Sequence, residues 1–109
     1  DPDTVRGADA LVISHERYGR RGPGAFLDIA PELVVEILSP EDRPGEVETK
    51  IREYLSIGVD RVWLLDSRRR QVRIHRSPEQ VTTLEIGDTL RDDEILPGFV
   101  LPLSELFRD

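Results

Sequence analysis

The sequence predicts an α/β (α+β) fold, a mixed β-sheet flanked by helices, and three observations carry that prediction. The apolar runs "ADALVIS", "PELVVEILSP" and "RVWLLD" are long enough for buried strands and too short for helices. One stretch, from Val47 to Gly58, carries apolar residues at helical spacing. Beyond it, "QVRIHR" and "VTTLEI" read as an alternating strand and its continuation in a meander. The order strand, strand, helix, strand, strand, strand fits a helix packed on one face of a sheet, in a single domain over residues 1–109.

Each element has its own justification. "ADALVIS" is a strand that ends near Ser14, with Asp9 where it begins, and the Gly- and Arg-rich "ERYGRRGPGAF" follows as a loop. Leu33, Val34, Val35, Ile37 and Leu38 make the second strand. In "PEDRPGE", Pro44 suits a first helical turn, and Glu46 and Glu48 lie near the positive end of the helix dipole. That helix runs to about Ile57 and stops at Gly58, packing through Val47, Ile51, Tyr54 and Leu55 while Thr49, Arg52 and Ser56 face solvent. "RVWLLD" is an internal strand, and "SRRR" turns it into "QVRIHR". Gly87 and Asp88 make the next turn, "RDDE" at 91–94 reads as a solvated loop, and "ILPGFVLPLSELF" covers the core and ends in a short helix. Trp63 and Tyr54 are read as core.

Composition narrows the function classes. With no cysteine there is neither a disulfide framework nor thiolate chemistry, and two histidines cannot build a Cys/His zinc cluster, so a hard, oxygen-ligated metal is the one left open. No apolar run approaches the roughly 18 residues of a membrane span, and a soluble, cytoplasmic protein with no membrane partner is expected. The absence of methionine makes a fragment of a longer product the expectation. A net charge of -7 argues against broad electrostatic attachment to nucleic acid, but six arginines against one acid between Arg61 and Arg76 form a local basic patch.

Glu36 is the anomaly of the second strand. Alternation puts it on the same face as Val34 and Leu38, where an unpaired buried carboxylate costs several kcal/mol, so a cation, a metal or solvent must stabilise it. Asp9 on one strand, Glu36 inside another and Lys50 on the following helix form a candidate set. Two nearby carboxylates repel each other and are relieved by a divalent cation, which oxygen ligands suit. A lysine beside that cation can orient or deprotonate a water for attack on a phosphodiester. Lys50 is the only lysine among 15 basic residues, and its compact amine can shift its pKa where a guanidinium cannot.

"ADALVIS", "PELVVEILSP", the single lysine of "ETKIREYLSIGVDRVWLLD" and the closing "ILPGFVLPLSELF" together resemble the bacterial restriction-endonuclease family of the Uma-two type, a branch of the PD-(D/E)XK nuclease superfamily. The resemblance covers nearly the whole chain. It implies a restriction-endonuclease-like core with Mg2+-dependent phosphodiesterase chemistry, in which Asp9 and Glu36 hold the metal and the motif lysine has moved from the strand to the helix, as Lys50. Leu38 stands where the ordinary E-x-K pattern has its lysine, in keeping with that migration. The chain departs from the family in having Ala8 before Asp9 and Glu32 after Pro31, where Pro-Asp is common at both places. Members also carry an upstream helix and strands, so the N-terminal part of the domain is expected to be missing here.

Plainer readings stand beside these. Glu36 can pair with an arginine or sit at a solvated strand end, Lys50 can pair with Glu46 one helical turn earlier, and Asp9 alone is an ordinary strand-edge acid. "DPDTV" imitates an aspartyl-phosphate motif without the preceding strand such a motif needs, and Ser14-His15 lacks a nucleophile elbow. Gln71, Arg73 and His75 share a strand face that can follow a phosphate backbone, and Arg73 and Arg76 are the candidate nucleic-acid contacts. Basic residues also protect sheet edges from pairing. The leading expectation is a divalent-metal-dependent endonuclease acting on DNA, with a homodimer admissible. The alternative is a catalytically silent nuclease-fold module that binds nucleic acid or a protein.

Overall fold

The computed structural model describes residues 9–19 and 30–108. The "DPDTV" stretch and most of the Gly- and Arg-rich loop lie outside the described residues. Strand β1 (Ala10–Val12) runs antiparallel to β2 (Leu33–Ile37), with Ala10 opposite Val35. After β1 the chain forms a short helix, α1 (His15–Gly19), in the part read from sequence as loop. The Ser14 hydroxyl accepts the Arg17 N–H at 3.1 Å, the bond an N-cap serine makes. With only five residues the helix has too few turns for an apolar period to be visible in the sequence.

Helix α2 (Pro44–Ser56) begins as expected, with Pro44 in its first turn and Glu46 near its N-terminus. It ends before Gly58, whose φ of 108° lies in the left-handed region and whose added Cβ would stand 3.4 Å from that of Ala30. The chain then enters β3 (Arg61–Asp66), which pairs parallel with β2, Val35 opposite Trp63. Parallel neighbours need a crossover of this length, and α2 supplies it. Strands β4 (Gln71–Ser77) and β5 (Gln80–Leu84) follow antiparallel, giving one mixed sheet in the order β1-β2-β3-β4-β5.

The tail holds the other departure from the sequence reading. Instead of loop and plain cover, β6 (Thr89–Asp92) and β7 (Leu96–Pro102) pair as a separate two-stranded sheet, followed by α3 (Leu103–Leu106). Arg91 and Asp92 therefore belong to a strand. Asp92 faces inward because Arg61 Nε donates to its Oδ2 at 2.9 Å, and an ion pair allows an acid where alternation calls for an apolar residue. Pro97 and Pro102 are tolerated in β7 because each strand of a two-stranded sheet keeps a free edge.

The five-stranded sheet has a core on each face. On one, Val34, Val62 and Leu64 pack against Ile51 and Tyr54 of α2. On the other, Leu33, Trp63, Val72 and Ile74 pack against Leu90 and Leu103 from the tail. No helix of the described residues is long and apolar enough to cross a membrane.

Candidate active site

Glu36 lies on the α2 face of the sheet with 9% of its surface exposed. Its burial is compensated by two donors from one side of α2. Lys50 Nζ donates to Glu36 Oε1 at 2.8 Å, and the Tyr54 hydroxyl donates to Oε2 at 3.1 Å. Residues 50 and 54 are four apart on a helix and so stand one above the other. The cation beside Glu36 is thus the lone lysine and not an arginine.

Asp9 comes to the same place from β1. Pairing of Ala10 with Val35 and Leu11 with Val34 puts Asp9, one residue outward, beside Glu36 on the same sheet face. Its Oδ2 accepts the backbone N–H of Ile37 at 2.7 Å, which fixes the carboxylate at the end of β2. Burial is the main cause that pushes the Tyr54 phenol far above its ordinary value, and the negative charges of Glu36 and Asp9 add to it. Tyr54 therefore stays protonated and keeps donating to Glu36 across the whole working range of pH. Sequence reading had placed it only as core; the signal available was its position one turn beyond Lys50.

A cavity of about 170 Å³ opens on this group, lined by Glu36, Ile37, Leu38, Asp42, Lys50 and neighbours from α2. It sits at the carboxyl ends of the parallel strands β2 and β3, where the crevice of an open α/β sheet takes its ligands. Glu32, the acid following Pro31, is elsewhere: its Oε1 accepts the Ser14 N–H at 2.9 Å and its Oε2 lies 3.4 Å from Arg17 Nε. Burial alone would raise this carboxyl, but hydrogen bonds from Ser14, with the charge of Arg17, outweigh it and hold Glu32 below its usual value. Glu32 anchors α1.

The two candidate nucleic-acid contacts part company. Arg73 pairs with Leu64 on β3, on the α2 face, and lines a second cavity; Arg76 instead donates to Thr82 Oγ1 at 3.2 Å, and Thr82 pairs with Ile74, of the opposite face. His75 is only 3% exposed, so it cannot follow a phosphate backbone with Arg73. Protection of a sheet edge does not explain the arginines either, because β4 is an inner strand between β3 and β5.

Over residues 1–104 the sequence matches the model of the Uma2 family, described as "Putative restriction endonuclease". The chain belongs to the Uma2 family. A solved structure from Anabaena variabilis, of a protein described as "a putative nuclease belonging to DUF820", shares the fold of this Uma2 chain with a TM-score of 0.65 and 25% sequence identity. The likeness covers 72% of the chain and 44% of that protein, so the chain spans less than half the length of its structural relative. No curated protein matches.

The donor set can be tested for a metal. Among the described residues no three His, Cys, Asp or Glu side chains converge, so a closed all-protein cage of the zinc or calcium kind is not present there. Mg2+ keeps several waters and takes one or two carboxylates together with phosphate oxygens. Glu36 on the cavity wall, with Asp9 beside it on the Ile37 N–H, is compatible with that donor count.

Proposed function

We propose that the chain is a divalent-metal-dependent endonuclease domain of the PD-(D/E)XK type that hydrolyses DNA phosphodiester bonds, with Mg2+ or Mn2+ held by Asp9 and Glu36. The observation that carries this reading is the Glu36–Lys50 pair on the wall of one cavity, with the Asp9 carboxylate held next to it on the backbone N–H of Ile37. Membership of the Uma2 family supports a nuclease. The metal would contribute Lewis-acid stabilisation of charge on the phosphoryl group. The chain's own residues do the rest. Lys50, with 38% of its side chain exposed, borders both Glu36 and solvent, and so can hold a water for in-line attack and balance charge growing on the phosphoryl oxygens. Tyr54 orients the Glu36 carboxylate through Oε2, so that Oε1, against the Lys50 amine, is the oxygen a ligand would share.

A second reading has a specific observation behind it. Both Glu36 oxygens already have donors, so the group is neutralised without any ligand, as a silent binding module would need. Calorimetry with Mn2+ and plasmid cleavage separate the two. The endonuclease reading expects one weak Mn2+ site and metal-dependent nicking, both lost in Glu36→Gln. Mn2+ binding that survives the substitution would move the site away from Glu36. Failure of the full-length protein to cleave with any divalent metal would favour the silent module.

A further inference from the structure

Next to the Glu36 cavity lies a larger one of about 610 Å³, and Leu38, Asp42 and Val47 line both, so the two form one continuous crevice. Its far side is built by the β3–β4 turn, which presents Arg68 and Arg69, and by Arg73 of β4. Two of the three acids along this wall have backbone partners. Asp42 Oδ2 accepts the Ser39 N–H at 2.7 Å and Asp66 Oδ1 accepts the Arg69 N–H at 3.1 Å, while the exposed Glu48 makes no ion pair with Arg73. Arg73 differs. It is half-buried, and the side chains of Arg73 and Arg68 have no hydrogen-bond or ion-pair partner among the described residues. A guanidinium drawn partly out of water without a paired carboxylate is held at a desolvation cost that an incoming anion would relieve.

We infer that Arg73, with Arg68 beside it, forms a subsite for a second backbone phosphate of the bound DNA strand, flanking the one that is cut. The inference rests on the nuclease reading above. Its geometry follows from the sheet register. Glu36 pairs with Leu64 and Leu64 with Arg73, so Glu36 and Arg73 stand on one face, two strand spacings or about 9 to 10 Å apart at their Cα atoms. A DNA strand advances about 3.4 Å per nucleotide along its axis, so this separation suits a phosphate some one to three nucleotides from the scissile bond. The planar guanidinium fork recognises phosphate oxygens without reading bases. Such a crevice selects polynucleotides over single nucleotides, because only a chain with several phosphates fills both ends. It also gives an acidic protein a local means of holding DNA, since the net charge of -7 repels the duplex elsewhere.

The test is DNA binding in EDTA, where no cleavage can occur, by fluorescence anisotropy of a labelled 12-base-pair duplex with the full-length protein. Arg73→Gln is expected to weaken binding about tenfold, the scale of one charge-assisted hydrogen-bonded contact, and to flatten the salt slope by about one unit. Arg68→Gln should move both in the same direction, while the charge-matched Arg91→Gln, on β6, should leave them unchanged. Thermal melting of each variant shows that it is folded. Wild-type affinity and slope in a folded Arg73→Gln protein would overturn the subsite, as would an equal loss from Arg91→Gln or the absence of any DNA binding by the wild type. Because binding is read without metal, a protein that binds through Arg73 but never cleaves would overturn the nuclease reading and leave the subsite standing.

Discussion

Replacing Lys50 separates its charge from its chemistry. Lys50→Met leaves Glu36 with the Tyr54 hydroxyl as its remaining donor in that group, and the carboxylate is nearly buried. Stripping one partner from a fully buried pair costs about 3 to 5 kcal/mol, and because Lys50 is more than a third exposed, solvent screening reduces the expected loss to about 1 to 2 kcal/mol in thermal or urea unfolding. A helix-surface pair with Glu46 would give only about 0.3 to 0.5 kcal/mol, so the size of the loss identifies the partner. Lys50→Arg is expected to fold and to cleave plasmid far more slowly, because a guanidinium is too large for the position and does not give up a proton. Equal cleavage rates would remove Lys50 from water positioning. His75 supplies a second residue-scale test. Burial lowers its pKa; the opposing pull of Glu48 is weaker than that, and the charge of Arg73 adds a still smaller push downward, so the folded protein favours the neutral imidazole. The unfolded chain binds that proton first; the stability His75 contributes is therefore complete above about pH 6.5 and lost as pH falls below it. Urea midpoints between pH 7.5 and 5 should fall for the wild type and flatten in His75→Leu. The Glu36–Lys50 contact was legible because each residue is chemically odd for its place in the sequence, whereas Asp9 by itself is an ordinary strand-edge acid. Tyr54 was not, since an aromatic at a core position looks ordinary until the structure shows what its hydroxyl meets.

At the scale of elements, α2 sets the geometry of the crevice, because it delivers Lys50 and Tyr54 over β2 and its end at Gly58 aims the chain into β3. Gly58→Ala would force a side chain into the left-handed region and against Ala30 Cβ, a loss of about 1 to 2 kcal/mol. Its melting temperature should drop; an unchanged melting temperature would mean the turn can relax. The start and stop of α2 were readable from Pro44, Glu46 and Gly58, and the strands β2 to β4 from apolar runs and alternation. Two elements escaped, for different reasons. Helix α1 is too short to show a period, and β6 turns an acid inward that only Arg61, some thirty residues earlier, makes acceptable. Long-range ion pairs leave no local trace in a sequence.

For the whole molecule, the sheet divides labour between its faces: α2 and the crevice lie on one, and the β6–β7 hairpin with α3 closes the other. The second core is dominated by non-local contacts, so its closure is tied to the folding of the entire chain. Trp63, the only tryptophan, belongs to that second core; it is 4% exposed, and its ring centroid lies 6.0 Å from that of Phe99 on β7. The molecule therefore carries a built-in optical gauge on the side away from Glu36. Emission from Trp63 should shift to longer wavelength when the hairpin lifts or the chain unfolds, yet hold steady through a Mn2+ titration. A spectral change that tracked metal occupancy would mean that the two faces communicate through the sheet, and a steady signal would let stability be followed in the same cuvette as ligand binding, each without disturbing the other.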